Sequence, residues 1–447
     1  MHVNSSVPNL SQRRCYHILE KTKRRKNMKD FELIIGYEDV KAELRMALDT
    51  IKNPEKYQRL GVKMPRGVLL YGEPGVGKKV LAKSFLEASG RKYFICRKDK
   101  PNGDFVNEIT ETFEKAKAGE PCIILLDDMD KYANEDYRRP DAEEYVTIQS
   151  CIDDISGKDI FVMATANDVR KLPNSLMRAG RFDKVIQMNM PRGKDATEIV
   201  KYYLSSKETV SDVDPEEIAR ILDGKSCAEL ETVINEAGIF AGFDGKSKID
   251  RDDLLRAVMR VIFNAPESLG VNNEYKLKRV AVHEAGHAVV AELLEPESVN
   301  LISINPHGGD IGGFTSYNNN EHYFNSISYM KERVVALLGG KAATEIVFAE
   351  TDVGCNSDMH RAFDIVERFV DNYCEFGFDK FERRSSSSTL LEKKETFVHA
   401  ELDRYYIQAK KIIADNRAFF DALVQALVEK KTLTSKDIKQ IKSSVNH

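Results

Sequence analysis

Between about Asp30 and Met190, short apolar runs alternate with stretches of mixed polarity. "GVLLYG" (67–72), "KYFIC" (92–96), "CIILLDD" (122–128), "IFVMATAN" (160–167) and "KVIQMNM" (184–190) are near-continuous apolar runs, the pattern of strands buried on both faces. Helical stretches between several of them predict a mostly parallel α/β sheet. "MPRG" before the first run and "GEPGVG" after it predict sharp turns. Beyond Pro191-Arg192-Gly193 the pattern is helical only, through "ATEIVKYYL", "DPEEIARIL", "AELETVINEAGIFAGF" and "DRDDLLRAVMRVI", with Asp214-Pro215 and Asp250 as helix starts. The polar, turn-rich "NAPESLGVNNEY" (264–275) predicts a linker. From 276 onward the chain is again mainly helical, with one β-like piece at "VNLISINP" (299–306) and a serine-rich loop, "RRSSSS" (383–388).

These shifts divide the chain into a basic tail (1–29), an α/β subdomain (30–191), a helical subdomain (192–263), the linker (264–275) and a helical domain (276–447). The tail carries "QRRC" and "KTKRRK" without an apolar core, which argues against a secretory signal and for disorder. Met28 offers an alternative start.

Composition narrows the class. Of 447 residues 42% are hydrophobic and 31% charged, enough for packed cores. With 71 acidic against 67 basic residues the net charge is −4, which gives no footprint for nucleic acid. No apolar run approaches the roughly 20 residues that span a bilayer. Seven single cysteines without CxxC pairs fit reduced thiols in the cytoplasm.

Two stretches carry chemistry. "YGEPGVGKKVL" (71–81) is a phosphate-binding loop between a strand and a helix, with Gly72, Glu73, Pro74, Gly75, Val76, Gly77 and Lys78 wrapping phosphate and Lys79 and Val80 opening the helix. The pattern calls for Ser or Thr after the first lysine, because that hydroxyl holds Mg²⁺; here it is Lys79. A cation there repels the metal by about 4 kcal/mol per pair of unit charges at 4 Å and an effective dielectric of 20. "CIILLDD" supplies Asp127 to organise Mg²⁺ and Asp128 to polarise water. Asn167 ends the next apolar strand, where a side chain senses γ-phosphate. "RAGRFD" (178–183) offers Arg178 and Arg181 for completing a neighbour's site.

The second is "RVAVHEAGHAVVAELL" (279–294), an H-E-x-x-H pattern. Four residues apart on a helix, His283 and His287 share one face and reach a single Zn²⁺. Glu284 stands beside them as general base. A catalytic zinc takes a third protein ligand, and spacing leaves His307, Glu345, Asp352, Asp358, His360 and Asp364 all open.

Residues 31 to about 440 resemble the FtsH-type AAA+ zinc metalloproteases, on "KMPRGVLLYGEPGVGK", "PCIILLDDMD" and "NSLMRAGRFDKVI" in the first half, and "HEAGH", "GGKAATEIVF" (339–348) and "DVGCNSDM" (352–359) in the second. The resemblance implies a AAA+ P-loop domain with a helical lid followed by a helical metallopeptidase domain, and a homo-hexamer acting on polypeptides with Zn²⁺, ATP and Mg²⁺. It also implies arginine fingers at Arg178 and Arg181, an adenine pocket near Ile35 and Gly36, and Asp358 as third zinc ligand. The family's membrane anchor has no counterpart here, so a soluble chain, or one recruited to a membrane by a partner, is expected.

Lys79, an aspartate (Asp128) in place of the family's glutamate, and "RKDKPNGDF" in place of its aromatic pore loop all depart from the pattern. Three functions follow as candidates: an ATP-dependent zinc endopeptidase, a zinc peptidase on a nucleotide-binding scaffold with little turnover, and a non-cleaving adaptor. Intact HEAGH and both arginines disfavour the third.

Overall fold

The computed structural model describes all residues except 1–30, 32–33, 100–103, 134–141, 211–212, 266–272, 306–311, 319–325, 378–386 and 446–447. The basic tail, most of the linker and most of the serine-rich loop therefore lie outside the described residues. The chain forms two compact units, Met1–Tyr202 with Lys225–Ala228, and Tyr203–Gly224 with Glu229–His447.

In the first unit α1 (Glu38–Lys52) and α2 (Pro54–Arg59) precede β1 (Gly67–Tyr71). Then come α3 (Lys78–Ser89), β2 (Lys92–Arg97), α4 (Phe105–Lys117), β3 (Cys122–Asp127), α5 (Glu143–Asp154), β4 (Ile160–Ala166), β5 (Lys184–Gln187) and α6 (Gly193–Leu204). The strands pair in parallel in the order β2-β3-β4-β1-β5. All five predicted runs are strands. β3 and β4 are buried at every position, which is why their sequences read as continuous apolar runs rather than alternating ones.

Alternate side chains along those strands serve opposite faces. Leu69, Ile124, Leu126 and Val162 pack with Ile109, Phe113, Tyr145 and Ile148 of α4 and α5. Val68, Leu70, Ile123 and Met163 pack with Leu44, Leu48, Leu81 and Phe85 of α1 and α3. Chain order reverses around β1, because β1 leads to β2 on one side while β4 leads to β5 on the other. The C-terminal end of β1 is thus the switch point at which such sheets bind ligands. Phe105 belongs to this core: it is buried and meets the Tyr132 ring edge-on, with centroids 4.6 Å apart.

The helices that follow are α7 (Pro215–Ile221), α8 (Cys227–Phe243), α9 (Arg251–Val261) and α10 (Glu274–Leu294). After them come β6 (Val299–Ser303), β7 (Phe314–Tyr317), α11 (Ile327–Phe348), α12 (Asn356–Asp371), α13 (Ser388–Asp415), α14 (Arg417–Lys430), β8 (Thr432–Thr434) and α15 (Ser435–Val445). The predicted helix starts are real caps. Asp214 accepts from the Glu216 amide with Pro215 in the first turn, and Asp250 forms a reciprocal capping box with Asp253. α10 begins at Glu274, two residues inside the predicted linker, with Asn273 as its cap.

Within the second unit Arg251 donates to Glu217, Thr434 and Asp437, tying α9 to α7 and to the β8–α15 corner. β6, β7 and β8 form an antiparallel sheet in the order β7-β6-β8.

α10 and α11 cross at glycine. A Cβ on Gly286 would stand 2.4 Å from the Gly339 carbonyl oxygen, and one on Gly339 would stand 2.5 Å from that of Gly286. Only hydrogen fits at either position, so the two backbones touch and α10 is held against α11 over its buried length.

Candidate metal centre and nucleotide site

The crossing sets the geometry of the HEAGH helix. His283 and His287 project from α10 and Asp358 from the first turn of α12. The Nε2 atoms lie 3.1 Å apart, and Asp358 Oδ2 lies 3.3 Å from His283 Nε2 and 3.1 Å from His287 Nε2. Among the described residues these three form a group whose ligand atoms all lie within 4.8 Å of one another. Two imidazoles and a carboxylate at that spacing are a zinc donor set with room for a fourth ligand.

The donors are prepared for an ion. His287 Nδ1 donates to the Ala336 carbonyl of α11 at 2.8 Å, which directs the Nε2 lone pair at Asp358 and His283. A Cβ on Gly340 would lie 2.5 Å from His287 Nε2 and 2.7 Å from His283 Nε2, so this glycine leaves the space open. The residues present fit zinc.

Asp358 is delivered by a loop that Arg279 fixes. One turn before His283 on the same helix face, Arg279 donates from Nε to Asp352 at 3.0 Å and also pairs with Glu350. Two other candidate ligands are engaged elsewhere, Asp352 with Arg279 and Glu345 with Tyr406 and Lys410. His360 and Asp364 are exposed, and His307 lies outside the described residues.

Glu284 is buried. Its Oε2 accepts from Thr315 Oγ1 of β7 at 2.8 Å. Burial raises its pKa above the ordinary carboxylate value, and the two histidines oppose that only in part. The group opens into a cleft of about 630 Å³ lined by α10, β7 and the loop before α12. Thr315, Gly340 and Arg279 were not legible as site residues. The signal available was Arg279, four residues from His283 and eight from His287.

The nucleotide site lies at the end of β1. Gly72 passes so close to β5's extension that a Cβ would meet the Met188 carbonyl at 2.1 Å. Val76 is buried behind the loop, while Glu73, Pro74, Gly75 and Val80 are exposed. Lys78 Nζ donates to the carbonyls of Gly72 and Glu73 at 2.6 and 2.8 Å.

Lys79 Nζ stands 3.0 Å from Asp127 Oδ2 and 2.8 Å from Asp128 Oδ2. Burial works against its charge, but the two carboxylates prevail and raise its pKa. Asp128 is correspondingly lowered: its burial is outweighed by Lys79 and Lys131. Buried Thr165 donates to Asp127 Oδ1 at 2.8 Å and accepts from the Asp128 amide at 2.9 Å, fixing the Asp127 carboxylate and the Asp128 backbone. Asn167 is held by Asp130, which accepts from its backbone amide at 2.8 Å. Thr165 and Asp130 went unread because each draws its role from a neighbouring strand end.

At the expected adenine pocket, a Cβ on Gly36 would meet Asp195, which accepts from the Tyr37 amide at 3.2 Å; Ile35 is half-buried beside it. The two arginines differ. Arg178 is exposed, whereas Arg181 is clamped on Asp153 through Nε and Nη2 at 3.1 and 2.8 Å.

A parallel P-loop sheet followed by a helical unit with a His-His-Asp group is the layout of an AAA-type metallopeptidase. Comparison with known proteins agrees. The AAA family model (ATPase family associated with various cellular activities) matches residues 68–190, and the peptidase family M41 model matches residues 271–441. The ATP-dependent zinc metalloprotease FtsH 2 of Thermoanaerobacter sp. is 31% identical over 436 residues, covering 94% of this chain and 84% of the relative. FtsH of Caldicellulosiruptor bescii is 30% identical, covering 92% and 71%. The chloroplastic FTSH 5 of Arabidopsis thaliana is 30% identical, covering 90% and 62%. The chain belongs to the FtsH family of ATP-dependent zinc metalloproteases. Among the described residues no helix is long and apolar enough to cross a membrane.

Two outcomes follow from the metal geometry. Burial disfavours the His287 charge, but Asp358 overrides it and raises the metal-free pKa from 6.5 to about 9. The ion pair therefore stabilises the metal-free chain fully below 6.5 and is lost as pH rises through 9. Zinc competes for the same lone pair, so its affinity climbs by up to about tenfold per pH unit across that window, with proton release. Competition titrations against a chromophoric chelator at several pH values measure this. Gly340→Ala places a methyl against both Nε2 atoms and is expected to lower bound zinc at least about tenfold, at about 1–3 kcal/mol in stability; atomic emission and urea unfolding measure the two.

Proposed function

We propose that this chain cleaves polypeptides, in protein quality control, with His283, His287 and Asp358 holding zinc and Glu284 handling protons. The convergence of three donor atoms within 4.8 Å at the mouth of a cleft carries this reading. Zinc, when bound, supplies a Lewis acid that polarises a peptide carbonyl and lowers the pKa of a water ligand toward about 7. Glu284 takes a proton from the attacking water as the C–O bond forms, then delivers one to the departing amine as the C–N bond breaks. Thr315 aims that carboxylate, and burial brings its pKa closer to the operating range. His287, oriented by Ala336, and Asp358, placed through Arg279, keep the donor set rigid.

The first unit is proposed to bind ATP in a homo-hexamer, with exposed Arg178 reaching a neighbour's phosphates and Arg181 holding the loop through Asp153. A specific observation favours slow turnover there: the carboxylates that organise metal and water are both paired with Lys79.

Glu284→Gln is expected to lower casein cleavage by about 10²–10⁴-fold with zinc content unchanged; undiminished cleavage would remove Glu284 from its role. Steady-state ATP turnover of the wild-type chain is expected to fall well below about 1 s⁻¹, since positioning errors near 1 Å cost about 10²-fold. A phosphate-release assay giving ordinary AAA rates would refute slow hydrolysis.

A further inference from the structure

We propose that Lys79 is a resident cation that lets this P-loop bind nucleoside triphosphate without magnesium. The proposal rests on the nucleotide-binding reading above and goes beyond it.

Magnesium at a P-loop is held by a hydroxyl following the P-loop lysine and by the strand-end aspartate. In this chain the first position is Lys79, and its ammonium already sits on the second. Nζ lies 3.0 Å from Asp127 Oδ2 and 2.8 Å from Asp128 Oδ2. Mg²⁺ needs octahedral oxygens at about 2.0–2.1 Å. An ion approaching either carboxylate oxygen meets the ammonium and must displace it. The residues present do not fit magnesium.

The charges balance without it. Asp127 and Asp128 carry two negative charges. Lys79 supplies one positive charge, and Lys131, whose Nζ lies 3.3 Å from Asp128 Oδ2, supplies a second. The pair of lysines thus neutralises Asp127 and Asp128 as one divalent ion would, while Lys78, which also feels the buried Asp130, faces the phosphates. Thr165 holds the Asp127 carboxylate and, by accepting from the Asp128 amide, the Asp128 backbone where Lys79 finds them. An ammonium has three donors. Two are directed at Asp127 and Asp128, which leaves the third for a phosphate oxygen at the start of α3, where loop amides and the helix dipole favour anions. A cation tethered to the chain cannot dissociate, so occupancy of the site becomes insensitive to the free magnesium concentration.

The test is ATP binding by the full zinc-loaded chain in resin-treated, divalent-free buffer, with and without millimolar MgCl₂, read by calorimetry. Zinc content is checked before and after. The wild-type affinity is expected to differ by less than about threefold between the two conditions, because no metal ligand is lost. Lys79→Thr restores the hydroxyl and removes the tethered charge, so its affinity is expected to fall at least about tenfold without magnesium and to recover with it. Lys79→Arg keeps the charge and is expected to keep the independence. A wild-type affinity that drops tenfold or more without magnesium overturns the proposal while leaving nucleotide binding intact. Absence of ATP binding in both conditions overturns both. The wild-type comparison decides even where a variant fails to fold.

Discussion

The contact between the backbones of α10 and α11 is the constraint on which the metal centre depends. Gly286 and Gly339 let the two helices approach until a single methyl at either residue would overlap the other's carbonyl. Only at that separation does the Ala336 carbonyl reach His287 Nδ1, and only then does Gly340 lie directly under both imidazoles. The histidines then present Nε2 lone pairs toward α12, where Asp358 completes the set. Burial of Glu284 beside them follows from the same packing, since β7 covers the other side of the helix and offers Thr315 to its carboxylate. A wider helix crossing, as any larger residue would impose, spreads the donors and unpicks the arrangement.

The two units stand in different chemical conditions. In the metallopeptidase unit the three donor atoms converge, with His287 directed by the Ala336 carbonyl, while the buried Nδ1 of His283 has no partner among the described residues. In the nucleotide unit the phosphate loop, the strand-end carboxylates and Asn167 are all in place, but the slot that a divalent ion would fill is bridged by an ammonium. The difference is local. A hydroxyl-to-amine change at one helix position adds a positive charge on a stem long enough to reach both carboxylates. The sheet itself is undisturbed, because Lys79 projects from the first turn of α3 and takes no part in the core. Fold and phosphate loop can therefore persist while the electrostatics of the site are rewritten.

Much of this was legible along the chain. Apolar runs marked all five parallel strands, but burial on both faces explains only the central ones: β3 and β4 are buried throughout, whereas the edge strands β2 and β5 are largely exposed. The caps Asp214 and Asp250 announced their helices through side chains that bond the first free amides. His283, Glu284 and His287 were readable because the helical repeat alone puts residues four apart on one face. Lys79 was visible as an anomaly, but not its partners.

What the sequence determined by itself was therefore short-range: element type, the two-histidine face and the phosphate loop, each set by periodicity and local hydrogen bonding. Among the described candidates, tertiary structure puts Asp358, the ligand the resemblance implied, beside the histidines; it alone decided that Phe105 is core, that Arg181 is bound to Asp153, and that Lys79 bridges Asp127 and Asp128. These contacts join residues between 27 and 75 positions apart. Their distances are fixed by how helices and strands pack, and no local pattern encodes that.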